Sequence, residues 1–182
     1  MGYKHDKEEI LEAALEASLA DGVASLTYGR LARQMDITDR MIVYYYPTKA
    51  DLIGAVLEEY TARLMGMLSV AFSEPASDHV DMLRAAWPYL ADPAADPMLR
   101  MFFELVGLSA RGLEPYATLV PPAFDAWAEL IAGLFTLPEE ERRAEAEATI
   151  ALLDGLLMVR QILGPEAGER AARRHGLLDT TP

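Results

Sequence analysis

The sequence predicts an all-α protein, with a three-helix N-terminal head followed by a larger set of longer helices. Three observations carry this reading. Apolar residues recur at three- and four-residue spacing along most of the 182 residues, the period of a helix with one buried face. Threonine, proline and glycine interrupt that pattern at places suited to helix starts and stops. Only Ile42-Val43-Tyr44-Tyr45-Tyr46 has the composition of a strand, and the sequence offers no second strand to pair with it.

The first helix covers residues 7–20, where Ile10, Leu11, Ala14, Leu15 and Leu19 share a face, and Gly22 is its C-terminal cap. Thr27 caps a short second helix over 28–35 that buries Leu31, Ala32 and Met35. Asp36 falls at a tight turn. Thr38 is a second cap candidate and opens a third helix through Val43 or Tyr46, which Pro47 ends. Thr48 caps a long fourth helix from 49 to about 71. Further helices are expected over 77–91, with Pro88 kinking or ending it, and over 97–111, closed by Gly112. DPAADP between them reads as a linker. Another helix starts or restarts around Pro121-Pro122 and runs to 135. A long helix spans 139–163, a short one 166–175, and the 180–182 tail is frayed. The total is about nine helices.

Composition excludes several functions. Cysteine is absent, which removes disulfides, thiol catalysis and cysteine-ligated zinc. No apolar run reaches the roughly 18 residues that cross a bilayer. The charged start MGYKHDKEEILEAA does not read as a signal peptide, and Asp6 stands where myristoylation of Gly2 wants Ser or Thr. The expectation is a soluble cytoplasmic protein with no membrane partner. The formal charge is -13. Even the first 60 residues carry 11 acidic against 6 basic side chains. Nonspecific attraction to nucleic acid is therefore excluded, and any DNA contact depends on local placement. His5, His79 and His175 are far apart in sequence, and no metalloprotease, phosphate-loop or nucleophile-elbow motif occurs, so neither an enzyme nor a cofactor is expected.

Two short helices joined by a turn of three or four residues, over about 27–46, outline a helix-turn-helix. Residues 10–53 resemble the N-terminal DNA-binding domain of the TetR family of bacterial transcriptional regulators. Ala14 and Gly22 match the first helix and its glycine, and Leu31-Ala32 matches the family's Ile-Ala pair. Asp36-Ile37-Thr38 stands at the Gly-Val-Ser turn. Tyr44-Tyr45-Tyr46-Pro47-Thr48-Lys49 stands at His-Tyr-Phe-Pro-Ser-Lys, and Ala50-Asp51-Leu52 continues it. Asp36, Arg40, Met41 and Val43 depart from the common pattern. The resemblance implies a DNA-binding domain over 1–48 and a helical effector-binding and dimerisation domain over 49–182. It also implies a ligand-responsive regulator, a repressor by the family's habit, that binds a palindromic double-stranded DNA operator as a homodimer. A helical protein-interaction or scaffold protein without specific DNA binding is the rival.

In such a geometry the second short helix of the pair enters the major groove. Its first half holds Thr38, Asp39, Arg40 and Met41. Arg40 either reads guanine through its guanidinium fork or pairs with Asp36 or Asp39. Asp39 accepts from cytosine or orients Arg40. Thr27 and Thr38 offer helix starts to phosphate, although capping alone explains both. Tyr28 faces backbone or a base edge. Lys49 resembles the family's phosphate-binding lysine, and the alternative is an ordinary surface lysine. Neighbouring helical residues lie about 100° apart, so Tyr44, Tyr45 and Tyr46 cannot all face one core. The resemblance turns Tyr44 and Tyr45 toward DNA and Tyr46 into the three-helix core.

For an unidentified small-molecule effector the candidates are Trp87, Met101, Phe102, Glu104, Phe124 and Trp127, which either line a pocket or fill a helical core. Asp81, Arg84, Glu104 and Arg111 are the polar anchors considered. Apolar residues nearly encircle the second half of helix 139–163, from Ile150 to Leu163. Such a helix needs cover on more than one side, from a partner subunit or from within the monomer.

Overall fold

The computed structural model describes residues 6–68, 71–72 and 74–178. Expectations placed on Gly2, on His5 and on the 180–182 tail fall outside those residues. Nine α-helices are present among the described residues: α1 Lys7–Asp21, α2 Tyr28–Met35, α3 Asp39–Tyr45, α4 Lys49–Leu68, α5 His79–Leu90, α6 Asp96–Ala110, α7 Tyr116–Ala132, α8 Glu139–Leu163 and α9 Pro165–Arg174. The Ile42–Tyr46 segment is helical up to Tyr45, so its strand composition yields to its surroundings. The chain divides into two compact units, Met1–Leu64 with Arg100–Val120, and Met65–Leu99 with Pro121–Pro182. This is not a single cut. Helices α4, α6 and α7 each contribute to both units, and the helix-turn-helix shares its unit with most of α6 and the start of α7.

The first unit shows how side chains fix helix ends. Asp6 accepts from the Glu9 amide, and the Glu9 carboxylate accepts from the Asp6 amide, a reciprocal cap that opens α1. Gly22 ends α1 at φ 86°, and a short 3-10 turn over Val23–Ser25, not anticipated from the sequence, leads toward α2. The Thr27 hydroxyl accepts from the Arg30 amide as expected. Asp36 takes the left-handed conformation, φ 54° and ψ 44°, that a glycine would take without strain. Thr38 stands at the cap position of α3, but its side chain makes no cap bond. The Thr38 carbonyl accepts from the Met41 amide instead, at 2.9 Å. Thr48 and Asp51 cap α4 reciprocally. The buried residues of this unit include Ile10, Leu15, Leu26, Leu31, Ile42, Tyr46, Ile53 and Leu105.

In the second unit, Pro88 lies inside α5 rather than ending it, two residues before the last turn closes. The expected linker is ordered. Asp92 caps a 3-10 turn over Pro93–Ala95, and α6 begins at Asp96. Pro121 and Pro122 do not open a helix either: α7 begins at Tyr116 and runs through them. Both prolines are exposed, and the amide each lacks leaves one carbonyl four residues earlier without its helical partner. Ala76, Met82, Ala128, Ile131, Ala132, Phe135, Ala146 and Ile150 form one core cluster, with Phe72, Phe124 and Trp127 packed against it. A lone parallel bridge joins Ala76 and Phe135 beside it.

Two groups in this unit are poised electrostatically. Arg160 is buried in α8 and ion-paired with Asp96, which also accepts from Gln161 at 3.1 Å, while the second guanidinium nitrogen of Arg160 has no hydrogen-bond partner among the described residues. α9 presses close here: a Cβ on Gly168 would stand 2.7 Å from the Cβ of Arg160. Asp96→Ala should therefore leave a buried, unpaired charge and cost roughly 3 kcal/mol, read from the urea midpoint of the full chain. Asp154 is half-buried in α8, and that burial pushes its carboxyl up to about 7 from the 3.8 of a free aspartate. The folded state then holds a proton that the unfolded chain has lost, so stability falls as pH rises from about 4 to about 7. Asp154→Asn should gain on the wild type across that window, measured as the difference between their urea midpoints at each pH.

Candidate nucleic-acid interface

The helix-turn-helix is held by a few named contacts. Tyr46, at the C-terminal end of α3, is only 2 % exposed. Its hydroxyl donates to the Lys7 carbonyl at 3.4 Å, and its carbonyl accepts from the Tyr28 hydroxyl at 2.8 Å. The Lys7 ammonium lies 5.5 Å from the centre of the Tyr46 ring. Burial raises the Tyr46 hydroxyl above the usual tyrosine range; burial and then the Asp51 carboxylate raise that of Tyr28. One tyrosine thus joins the first turn of α1, the first turn of α2 and the end of α3. Ile42, one turn earlier on α3, is fully buried and fixes the rotation of the helix.

That rotation presents the opposite side of α3 to solvent. Tyr44 is 79 % exposed and Tyr45 half-buried, and their rings meet edge to face at 5.0 Å. Arg40 is exposed, and no ion pair joins it to Asp36 or Asp39 among the described residues. The salt-bridge alternative for Arg40 is therefore not what the structure shows. Asp39 is turned elsewhere, with a carboxylate oxygen 3.7 Å from where a Gly29 Cβ would stand, beside the positive first turn of α2. Thr27, Thr38 and Lys49 are exposed, and Met41 is half-buried. Tyr28 differs from expectation in one respect: its hydroxyl is engaged by Tyr46 rather than open. Arg30 pairs with Asp21, and the Arg33 guanidinium donates to the Gly29 carbonyl at 3.0 Å.

The effector candidates do not form one group. Met101, Phe102 and Glu104 belong to the first unit, and Trp87, Phe124 and Trp127 to the second. Trp87 and Met101 are buried core residues, and Phe124 and Trp127 pack against the core cluster. Glu104 is committed to the protein itself: its two carboxylate oxygens accept from the amides of Val23 and Ala24 at 2.9 and 3.0 Å. A cavity of about 150 Å³ in the second unit is lined by Phe72, Glu74, Ala76, Asp81, Met82 and Ala85, and by none of the six candidates. That volume is below the roughly 300 Å³ at which small-molecule pockets begin. Asp81 is the only one of the polar anchors considered that reaches it. Among the described residues no cluster of His, Asp or Glu is arranged to hold a metal ion, and His79 instead contacts Glu145 at 2.7 Å.

Solved structures share this arrangement over nearly the whole chain. A transcriptional regulator from Rhodococcus sp. Rha1 superposes with a TM-score of 0.72 at 17 % identity, covering 98 % of this chain and 100 % of its own. A TetR transcriptional regulator from Legionella pneumophila gives 0.67 at 19 % identity, covering 94 % and 96 %. The chain has the TetR-regulator fold. A further neighbour by superposition is the multidrug binding protein EbrR, solved with imidazole, with a TM-score of 0.69 at 24 % identity over 100 % of this chain and 95 % of that one. No family model and no curated protein matches the sequence.

The two ends of the tyrosine triplet should respond oppositely to truncation. Tyr46→Ala removes a buried ring and the hydroxyl's bond to the Lys7 carbonyl, and should cost about 3–5 kcal/mol of stability. Tyr44→Ala should change stability by no more than about 0.5 kcal/mol. Denaturant titrations of the two variants beside the wild type make the comparison.

Proposed function

We propose that the chain is a member of the TetR family and acts as a DNA-binding transcriptional regulator, a ligand-responsive repressor that grips a palindromic operator as a homodimer. The observation that carries this reading is the outward side of α3, where Arg40 and Tyr44 are exposed while Ile42 and Tyr46 lock the helix from behind. Arg40 is assigned to a base edge, since a guanidinium without an ion-pair partner matches guanine O6 and N7. Tyr44 and Tyr45 supply ring faces and hydroxyls to sugar, thymine methyl or phosphate. Thr27, Thr38 and Lys49 are assigned to phosphate, and Met41 to apolar contact beside Arg40. Asp39 and Tyr28 support the surface from within it.

The homodimer reading rests on α8. Its inner face buries Ala146, Ile150, Leu153, Leu156 and Leu157. On its other side Met158, Ile162 and Leu163 are 48, 72 and 70 % exposed, next to the exposed Ala148 and Ala151. An apolar surface of this kind on a helix already buried on one face suits a second copy. Two-fold pairing would set two α3 helices against half-sites about 34 Å apart. A small molecule that favours another spacing would release the DNA. The multidrug-binding role of one structural neighbour supports a small-molecule effector.

Footprinting of the full chain on genomic DNA should reveal a two-fold symmetric protected site, and asymmetric or absent protection would remove the operator reading. Ile162→Asp should yield a monomer in sedimentation velocity and weaken operator binding by roughly 100-fold, because each half-site is then held singly.

A further inference from the structure

We propose that Glu104 and Tyr116, which lie far beyond the helix-turn-helix in sequence, are positioning residues of the DNA-binding surface. They hold the single residue Val23, through which α1 passes into α2. This inference rests on the DNA-binding reading above and adds to it two residues that no sequence signal assigned to that role.

The connection from α1 to α2 is a place where position is easily lost. Gly22 sits at φ 86°, and the next three residues form one 3-10 turn whose own backbone bonds run only from Ser25 to Gly22 and from Leu26 to Val23. A 3-10 turn of this length leaves its first amide groups without partners. Glu104 on α6 supplies them, one carboxylate oxygen to the Val23 amide and the other to the Ala24 amide. From the first turn of α7, the Tyr116 hydroxyl donates to the Val23 carbonyl at 3.2 Å. Both polar groups of Val23 are thus taken by side chains 81 and 93 residues further along. Val23 and Tyr116 are buried, and burial, then the nearby Glu104 charge, raises the Tyr116 hydroxyl above the usual tyrosine range. The site is also shaped for its occupant. A Cβ at residue 22 would stand 2.8 Å from one Glu104 oxygen and 3.0 Å from the other, so a glycine is required both by φ and by the carboxylate.

The consequence for DNA is geometric. Leu26 is buried, Thr27 caps α2, and the first turn of α2 joins α3 through Tyr28 and Tyr46. A carboxylate that pins residues 23 and 24 therefore sets where α2 starts, and through Tyr28 it sets where α3 ends. Loss of the clasp should blur the register of the whole surface on DNA while leaving its charges in place.

The test uses the full chain carrying Glu104→Gln, which keeps one acceptor and replaces the other by a donor. Amide hydrogen exchange at Val23 and Ala24 should accelerate about tenfold or more, the scale of a lost charge-assisted hydrogen bond, while exchange at Leu15 and Ile53 stays unchanged. Affinity for the footprinted operator fragment should fall about tenfold, with affinity for a random duplex of equal length unchanged. A residue that merely supported folding would lower both affinities together. Glu104→Asp keeps the charge on a shorter arm and should lie between the two, and it serves if the glutamine variant is unfolded at the assay temperature. The inference is overturned if Val23 and Ala24 exchange at the wild-type rate in both variants, or if exchange accelerates and operator discrimination stays within twofold of wild type. If the wild type itself fails to discriminate any palindromic fragment from random duplex, the DNA-binding reading is what fails. The clasp is then judged on amide exchange alone.

Discussion

Tyr46 is the contact on which the DNA-facing surface depends. Its ring fills the interior of a head too small to tolerate an empty site, its hydroxyl reaches the start of α1, and its carbonyl takes the hydroxyl of Tyr28 at the start of α2. A three-helix unit with an α3 of seven residues has little internal strength, because one short helix makes few bonds of its own. Ring burial and two polar ties at one residue orient that short helix. With Ile42 and Tyr46 inward, a rotation of about 100° per residue leaves Tyr44 and Arg40 outward.

The strongly acidic charge makes sense in such a surface. A chain of formal charge -13 repels DNA at a distance, so binding has to come from a few well-aimed contacts. Several acidic groups near the interface are engaged within the fold. Asp51 caps α4 with Thr48, Asp21 pairs with Arg30, and Asp39 lies against the first turn of α2. Arg40 and Lys49 are left without carboxylate partners among the described residues, the arrangement a phosphate or a base edge can use.

Local features of the helices were legible in the sequence because they are set within a few residues. Thr27 capping α2, Gly22 ending α1, Asp36 in the left-handed turn and Pro47 following α3 depend on backbone geometry and on hydrogen bonds spanning three or four positions. The split of the tyrosines also followed from the helical period once the resemblance supplied an orientation. The errors have local causes as well. Pro121-Pro122 reads locally as a helix start, yet both prolines sit within α7 at exposed positions, and of the two alternatives for Pro88, kinking or ending its helix, the ending one is not what α5 shows. Thr38 looked like a cap, but the carbonyl of the same residue already serves the Met41 amide.

The sequence by itself determined the helical class, the order of the helices, the helix-turn-helix outline and that the three tyrosines cannot all be core, since periodicity and capping are properties of neighbouring residues; the resemblance singled out Tyr46. Only the tertiary structure decided what Glu104 does. Read as a linear pattern it was a lone carboxylate on an apolar helix, a plausible anchor for a ligand. Folding brings it to two amides 81 and 80 positions away, at a glycine whose missing Cβ makes room for it. The same holds for Asp96 beside Arg160 and for the aromatic residues that proved to be core: a partner fixed by chain topology leaves no periodic trace in the residues that flank it.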